Sequence, residues 1–246
     1  MHGINPLVLG VLGGMGSYST LHFFERVLDA FPVDKEWERP RVVIDNNCVL
    51  PSRVRALLYD ERRDELVRGM AASIAGLLRY APHAIAIPCH TAHCFLPEVR
   101  RELGDIEAPI VDMIELTVEH CRHHGAPSAA LLATEGTIAT HVYEDYGDPR
   151  GVGIRHPNEA GQARTREFIE QVKKRRDVDA EGFVRFVESL GAPAVILGCT
   201  ELSVLFDAAP RSPAATRVID PLALMVERIH ALSSELTREP EARAEP

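Results

Sequence analysis

Two of the five cysteines, Cys89 and Cys199, stand apart by where they fall. Cys89 follows the apolar run His83-Ala84-Ile85-Ala86-Ile87-Pro88, and Cys199 follows Ala194-Val195-Ile196-Leu197-Gly198. Threonine comes soon after each, in Cys89-His90-Thr91-Ala92-His93 and Cys199-Thr200-Glu201-Leu202, and both stretches read as helix starts. A thiol at a helix N-terminus feels partial positive charge, which favours the thiolate and lowers the pKa. The free N–H groups there, with threonine hydroxyls, suit a carboxylate. Two such thiols facing one cleft can hold a carbon acid between a base and an acid. Either cysteine alone reads more readily as a small buried hydrophobe; their matched placement is what points to chemistry. Cys48, Cys94 and Cys121 share no such placement, and an odd number without framework spacing reads as free thiols.

Two other chemistries fit less well. Cys89, His90, His93 and Cys94 contain zinc-ligand types, but their spacing departs from the usual paired patterns. The glycines between Gly10 and Gly16 do not form G-x-G-x-x-G, and there is no P-loop lysine, so the stretch reads as a tight strand–helix turn. His123-His124 reads as a solvated helix end.

The elements that must position the cysteines follow from hydrophobic pattern. Leu7-Val8-Leu9-Gly10-Val11-Leu12 is a continuous apolar run leading to Gly13-Gly14-Met15-Gly16, as expected for a strand buried on both faces and a tight turn. Helical spacing follows over 17–29, with Leu21, Phe24, Val27 and Leu28 on one side. Strands are expected over 41–45, 83–88, 129–133 and 194–198, and helices over 65–80 and 222–236. Alternating strands and helices indicate parallel sheets covered by helices. Both halves open with a strand and turn and later deliver a cysteine, which suggests two similar α/β lobes around one cleft. The expected division is a first lobe over 1–118, with the helix over 222–237 packing back on it, a second over 119–221, and a frayed tail over 238–246. In open parallel sheets function sits at the carboxyl ends of strands, where both cysteines fall.

Composition narrows the partners. With 46% hydrophobic and 26% charged residues, the 246-residue chain reads as an ordinary globular protein. Its net charge of -9 speaks against nucleic acid, which wants a basic face. A small anion remains acceptable where a local Arg or Lys reverses the field. No apolar run has the length to span a bilayer, and the first residues lack a signal-peptide pattern. A cytoplasmic protein with no membrane partner is expected, where thiols stay reduced.

The segments Gly13-Gly14-Met15-Gly16, Asp45-Asn46-Asn47, Pro51-Ser52-Arg53, Ile87-Pro88-Cys89-His90-Thr91-Ala92-His93, Leu132-Ala133-Thr134-Glu135-Gly136-Thr137 and Leu197-Gly198-Cys199-Thr200-Glu201-Leu202 resemble the aspartate/glutamate racemase family, in order from about residue 7 to 205. The resemblance implies a cofactor-independent racemase of an acidic amino acid, using neither pyridoxal phosphate nor metal, and a homodimer. It implies that Cys89 and Cys199 take and give the α-proton on opposite faces. Thr91, Thr134 and Thr200 are then expected on the α-carboxylate, and Arg53 on the side-chain carboxylate, which a guanidinium grips bidentately. Met15 and Asn47 join the substrate-binding set through their motifs, and Lys173 is the nearest match to a lysine of aspartate-specific members. The family's Cys-Asn-Thr is Cys89-His90-Thr91 here, so His90 is expected to donate a hydrogen bond or, protonated, to raise thiolate character at Cys89. Ser17-Tyr18 stands where many members have a proline. Another isomerase or decarboxylase of small diacids, or a non-catalytic amino-acid-binding protein, remain alternatives; the intact thiol pair and Arg53 favour the racemase.

Overall fold

The computed structural model describes residues 4–106, 108–174, 178–209 and 217–242. In chain order the first part comprises β1 (Val8–Gly13), α1 (Ser17–Ala30), β2 (Arg41–Asn46), α2 (Arg53–Tyr59), α3 (Arg63–Leu78), β3 (Ala84–Ala86), α4 (His90–His93), α5 (Leu96–Leu103) and α6 (Met113–His123). There follow β4 (Ser128–Ala133), α7 (Glu135–Ala139), α8 (Val142–Gly147), β5 (Gly153–Arg155), α9 (Glu159–Lys173), α10 (Ala180–Ser189), β6 (Val195–Gly198), α11 (Thr200–Ala208), β7 (Val218–Ile219) and α12 (Pro221–Ala242). The strands form two wholly parallel sheets, ordered β2-β1-β3 and β5-β4-β6-β7.

The continuous apolar runs are explained by burial on both faces. Leu9 and Val11 of β1 face a core with Phe23, Val27 and Met225, whereas Leu12 faces one with Met70, Ile74 and Leu77. In the second lobe Leu132, Val195 and Leu197 pack against Phe168 and Phe183, while Leu131, Ala133 and Ile196 pack against Val118 and Tyr143. Gly14 adopts φ +83, and a Cβ there would lie 2.4 Å from the Asn47 carbonyl carbon. Only glycine lets the first turn lie against the loop after β2.

The expected division at 118 falls inside α6, which gives Met113 to a first-lobe core and Ile114, Val118 and Cys121 to a second-lobe core. Helix α12 packs on α1 and α6 and runs to Ala242, through residues 238–242 of the expected frayed tail. Leu232 and Leu236 hold its later turns on the core, and Ser233 Oγ bonds Asn5 Oδ1 at 3.0 Å. Residues 243–246 lie outside the described residues. No helix among the described residues is long and apolar enough to cross a membrane.

A partly buried ion cluster joins α1, α11 and the residue before α12. Arg26 of α1 meets Asp220 at 2.6 Å and Asp207 of α11 at 2.7 Å. Asp220 Oδ1 also accepts from Ser203 Oγ and from the Leu222 N–H that starts α12. Removing one partner strands the buried Asp220 charge, so Arg26→Ala should cost about 3–5 kcal/mol in a urea titration. A loss within about 0.5 kcal/mol, typical of a surface change, would contradict that role.

Candidate active site

Strand β3 runs out towards Cys89, the N-cap residue of α4, and β6 towards Cys199, the N-cap residue of α11. Both caps are extended (φ -159 and -147), and neither side chain caps its helix. The sulfurs are therefore not committed to the helix ends. Both cysteines are buried, 8% and 7% exposed.

Their surroundings differ. Helix α4 is a single turn, whereas α11 has nine residues. Burial pushes the Cys89 thiol above its ordinary value; Arg53, the Ala92 N–H and Lys173 pull the other way, and Glu201 adds to the rise. Cys199 is raised well above its ordinary value, by burial and then by Glu201, with Lys173 opposing. Cys199 Sγ donates to Glu201 Oε2 at 2.9 Å, and Glu201 is itself buried. The expectation of thiols with lowered pKa is thus corrected: desolvation outweighs the helix ends. Lys173 lies in the field of both thiols. Burial opposes its charge, yet Glu201, Cys199, Glu170 and Cys89 together raise its pKa.

The two histidines of the first motif play different parts. The Met113 N–H donates to His93 Nε2 at 3.3 Å, so His93 Nδ1 carries the proton and donates to the Cys89 carbonyl at 2.9 Å. His93 thus steadies the backbone under Cys89, and both its nitrogens are used. His90 is buried and its pKa pushed down to about 3, by burial and then by His93, so it is neutral. The expected protonated His90 is corrected, since burial opposes its charge and no acid offsets this among the described residues. Thr117 Oγ1 donates its proton to the Met113 carbonyl at 2.6 Å. The Tyr143 hydroxyl lies 2.8 Å from His90 Nδ1, and which of the two donates depends on the imidazole tautomer. His90 Nε2 is buried with no hydrogen-bond partner among the described residues.

The threonines join the lobes. Thr91 Oγ1 lies 3.3 Å from Thr134 Oγ1 and 3.1 Å from Thr137 Oγ1, and Thr134 caps α7 by accepting from the Thr137 N–H. Thr200 adjoins Cys199, with its hydroxyl 3.5 Å from Glu201 Oε2. Arg53, first residue of α2, donates to the carbonyls of Pro51 and Met15 at 3.1 and 3.0 Å, leaving buried Nε unpaired. Met15 thus enters through its carbonyl while its side chain packs in the core. The Asn47 amide is committed to Ser73 Oγ at 2.9 Å. Four neighbours escaped the sequence reading: Glu201, Tyr143, Thr137 and Gln162. Gln162 Nε2 donates to the Ala133 carbonyl at 2.9 Å, leaving Oε1 a buried, unpaired acceptor. A cavity of about 620 Å³ lined by Ser128, Arg164 and Phe186 lies where β4 and β6 begin, away from both thiols. Among the described residues no three His, Cys, Asp or Glu side chains are arranged to hold a metal ion.

Known proteins share this fold. Residues 12–229 match the family described as Asp/Glu/hydantoin racemase. The broad specificity amino-acid racemase RacX of Bacillus subtilis (strain 168) is 26% identical over 208 residues, 81% of this chain and 88% of the relative. Among solved structures, the aspartate racemase of Picrophilus torridus superposes with TM-score 0.75 at 21% identity, covering 93% of this chain and 94% of that one. The glutamate racemase of Thermus thermophilus, in complex with β-chloro-D-alanine, gives 0.63 at 20% identity, covering 95% and 83%. The chain belongs to the Asp/Glu/hydantoin racemase family and is an isomerase.

Proposed function

We propose that the protein racemises an acidic amino acid, aspartate, glutamate or a close relative, with Cys89 and Cys199 as the acid/base pair and no cofactor. The observation that carries this reading is the pair of buried thiols, one at the end of each sheet, within the field of the same lysine. One thiolate removes the α-proton; the opposite thiol protonates the planar carbanion on its other face. Main-chain N–H groups with Thr91, Thr134 and Thr200 receive the α-carboxylate. The unpaired Arg53 Nε suits a side-chain carboxylate, with Lys173 adding positive potential, and the unpaired acceptor Gln162 Oε1 suits the ammonium. Met15 supports this set by holding Arg53, and Asn47 by backing the first turn.

The test is loss of the α-proton from a panel of amino acids in heavy water, using protein dialysed against a chelator and hydroxylamine. Exchange with racemisation of aspartate or glutamate supports the reading. Exchange confined to neutral amino acids would favour the second reading, a wider specificity like that named for the Bacillus subtilis relative. No exchange from any amino acid, or loss of activity on dialysis, would overturn it.

Turnover needs one thiolate and one thiol together, and burial raises both thiols above their ordinary range. Near neutral pH most molecules then hold two thiols, and raising the pH creates the active single-thiolate form. kcat/KM should climb from about pH 7 to at least about pH 9, then fall as the second thiol ionises. A profile flat across that interval would contradict the assignment.

A further inference from the structure

Resting on that reading, we propose that Glu201 makes the two thiols unequal: it holds the Cys199 proton, so the single-thiolate form rests with its thiolate on Cys89 and its thiol on Cys199. The geometry comes first. Cys199 Sγ donates to Glu201 Oε2 at 2.9 Å, and cysteine and carboxylate are both buried. Glu201 lies in the first turn of α11, and its Oε1 reaches the start of α1, within 3.0 Å of where a Cβ on Gly16 would be. Gly16 is the N-cap residue of that fourteen-residue helix. Two helix N-termini thus turn positive potential towards the Glu201 side chain, and Lys173 adds a third positive influence. A charged acceptor holds a thiol hydrogen bond well and repels a thiolate in the same place.

Among the described residues no carboxylate bonds the Cys89 sulfur. Arg53, Lys173 and the Ala92 N–H all favour charge on Cys89. With the substrate enantiomer whose α-hydrogen faces the first lobe, Cys89 takes that proton as the C–H bond breaks. The carbanion then takes the proton from Cys199 Sγ, leaving a thiolate beside the Glu201 carboxylate. Water returns a proton to Cys199 and removes one from Cys89 to restore the resting form. The opposite enantiomer must start from the disfavoured form. Because the equilibrium constant of racemisation is one, kcat/KM must be equal in both directions, so thiol ionisation is the direct readout.

The experiment is alkylation by iodoacetamide across a pH series, with each cysteine peptide quantified by mass spectrometry and exposed Cys48 as the reference. In the unaltered protein the midpoint for Cys89 should lie at least one pH unit below that for Cys199. Glu201→Gln should lower the Cys199 midpoint by at least one unit, a tenfold gain in thiolate fraction at fixed pH, and move Cys89 less. Equal midpoints, Cys199 ionising first, or an unmoved Cys199 in the folded variant would each overturn the proposal. Should Glu201→Gln fail to fold, the order in the unaltered protein still decides. A wrong order with turnover intact rejects the role of Glu201 alone; a right order without turnover rejects the racemase.

Discussion

Cys89→Ala and Cys199→Ala should each abolish racemisation in both directions, by at least about a thousandfold, while leaving the fold intact. The size follows from what a positioned acid or base contributes, typically about 10²–10⁴-fold, and from the absence of any substitute on the same face. Cys89 is delivered by the first sheet and Cys199 by the second. Neither sulfur serves both faces of a planar carbanion held between them. A single thiolate and a single thiol must also coexist, so the titration belongs to the couple. Cys94, five residues beyond Cys89, offers no replacement: its sulfur bonds Thr140 Oγ1 at 3.3 Å, and burial pushes its pKa up to about 11. Chiral chromatography of each enantiomer after incubation measures the loss, and circular dichroism confirms folding.

Arg53→Ala should lower kcat/KM for an acidic substrate at least tenfold, since losing one partner of a closed charge pair costs about 2–5 kcal/mol. Two losses combine. The substrate carboxylate loses its guanidinium, and Cys89 loses a cation that favours its thiolate. Arg53→Lys keeps the charge but not the fork, and should recover only part of the rate. Arg53 also ties the Pro51 loop to the Met15 carbonyl, so thermal unfolding must accompany the kinetics. A silent Arg53→Ala together with a neutral best substrate would move the assignment away from acidic amino acids.

The parts of the fold legible in the sequence are those whose environment leaves a pattern. Strands β1, β4 and β6 are buried on both faces and appear as unbroken apolar runs. Helices α1 and α3 lie within a residue or two of their expected bounds. Strand β5 is three residues with exposed ends, and β7 is two residues; neither carries a periodic signal. The segment after Cys89 gives one turn of helix and then a second helix, α5, a break that composition does not announce.

The site divides similarly. Cysteines at strand ends are readable from order alone, but the sign of their pKa shifts is not, because burial depends on the second lobe closing over the first. Glu201 had a signal, an acid two residues past the cysteine in an otherwise uncharged helix start. Tyr143 had none: it reaches His90 across 53 positions from a short helix in the other lobe. Its hydroxyl decides which nitrogen of His90 is free, and no local pattern encodes that.

The central claim, two thiols on opposite faces of one substrate, is tested most directly by single serine variants in heavy water. Cys89→Ser and Cys199→Ser are each incubated with pure enantiomers, and loss of the α-proton is followed by proton NMR. Each variant should exchange only the enantiomer whose α-hydrogen faces its remaining thiol, the two variants should choose opposite enantiomers, and neither should racemise. Exchange of both enantiomers by one variant, or near-normal racemisation by either, would contradict the two-thiol mechanism.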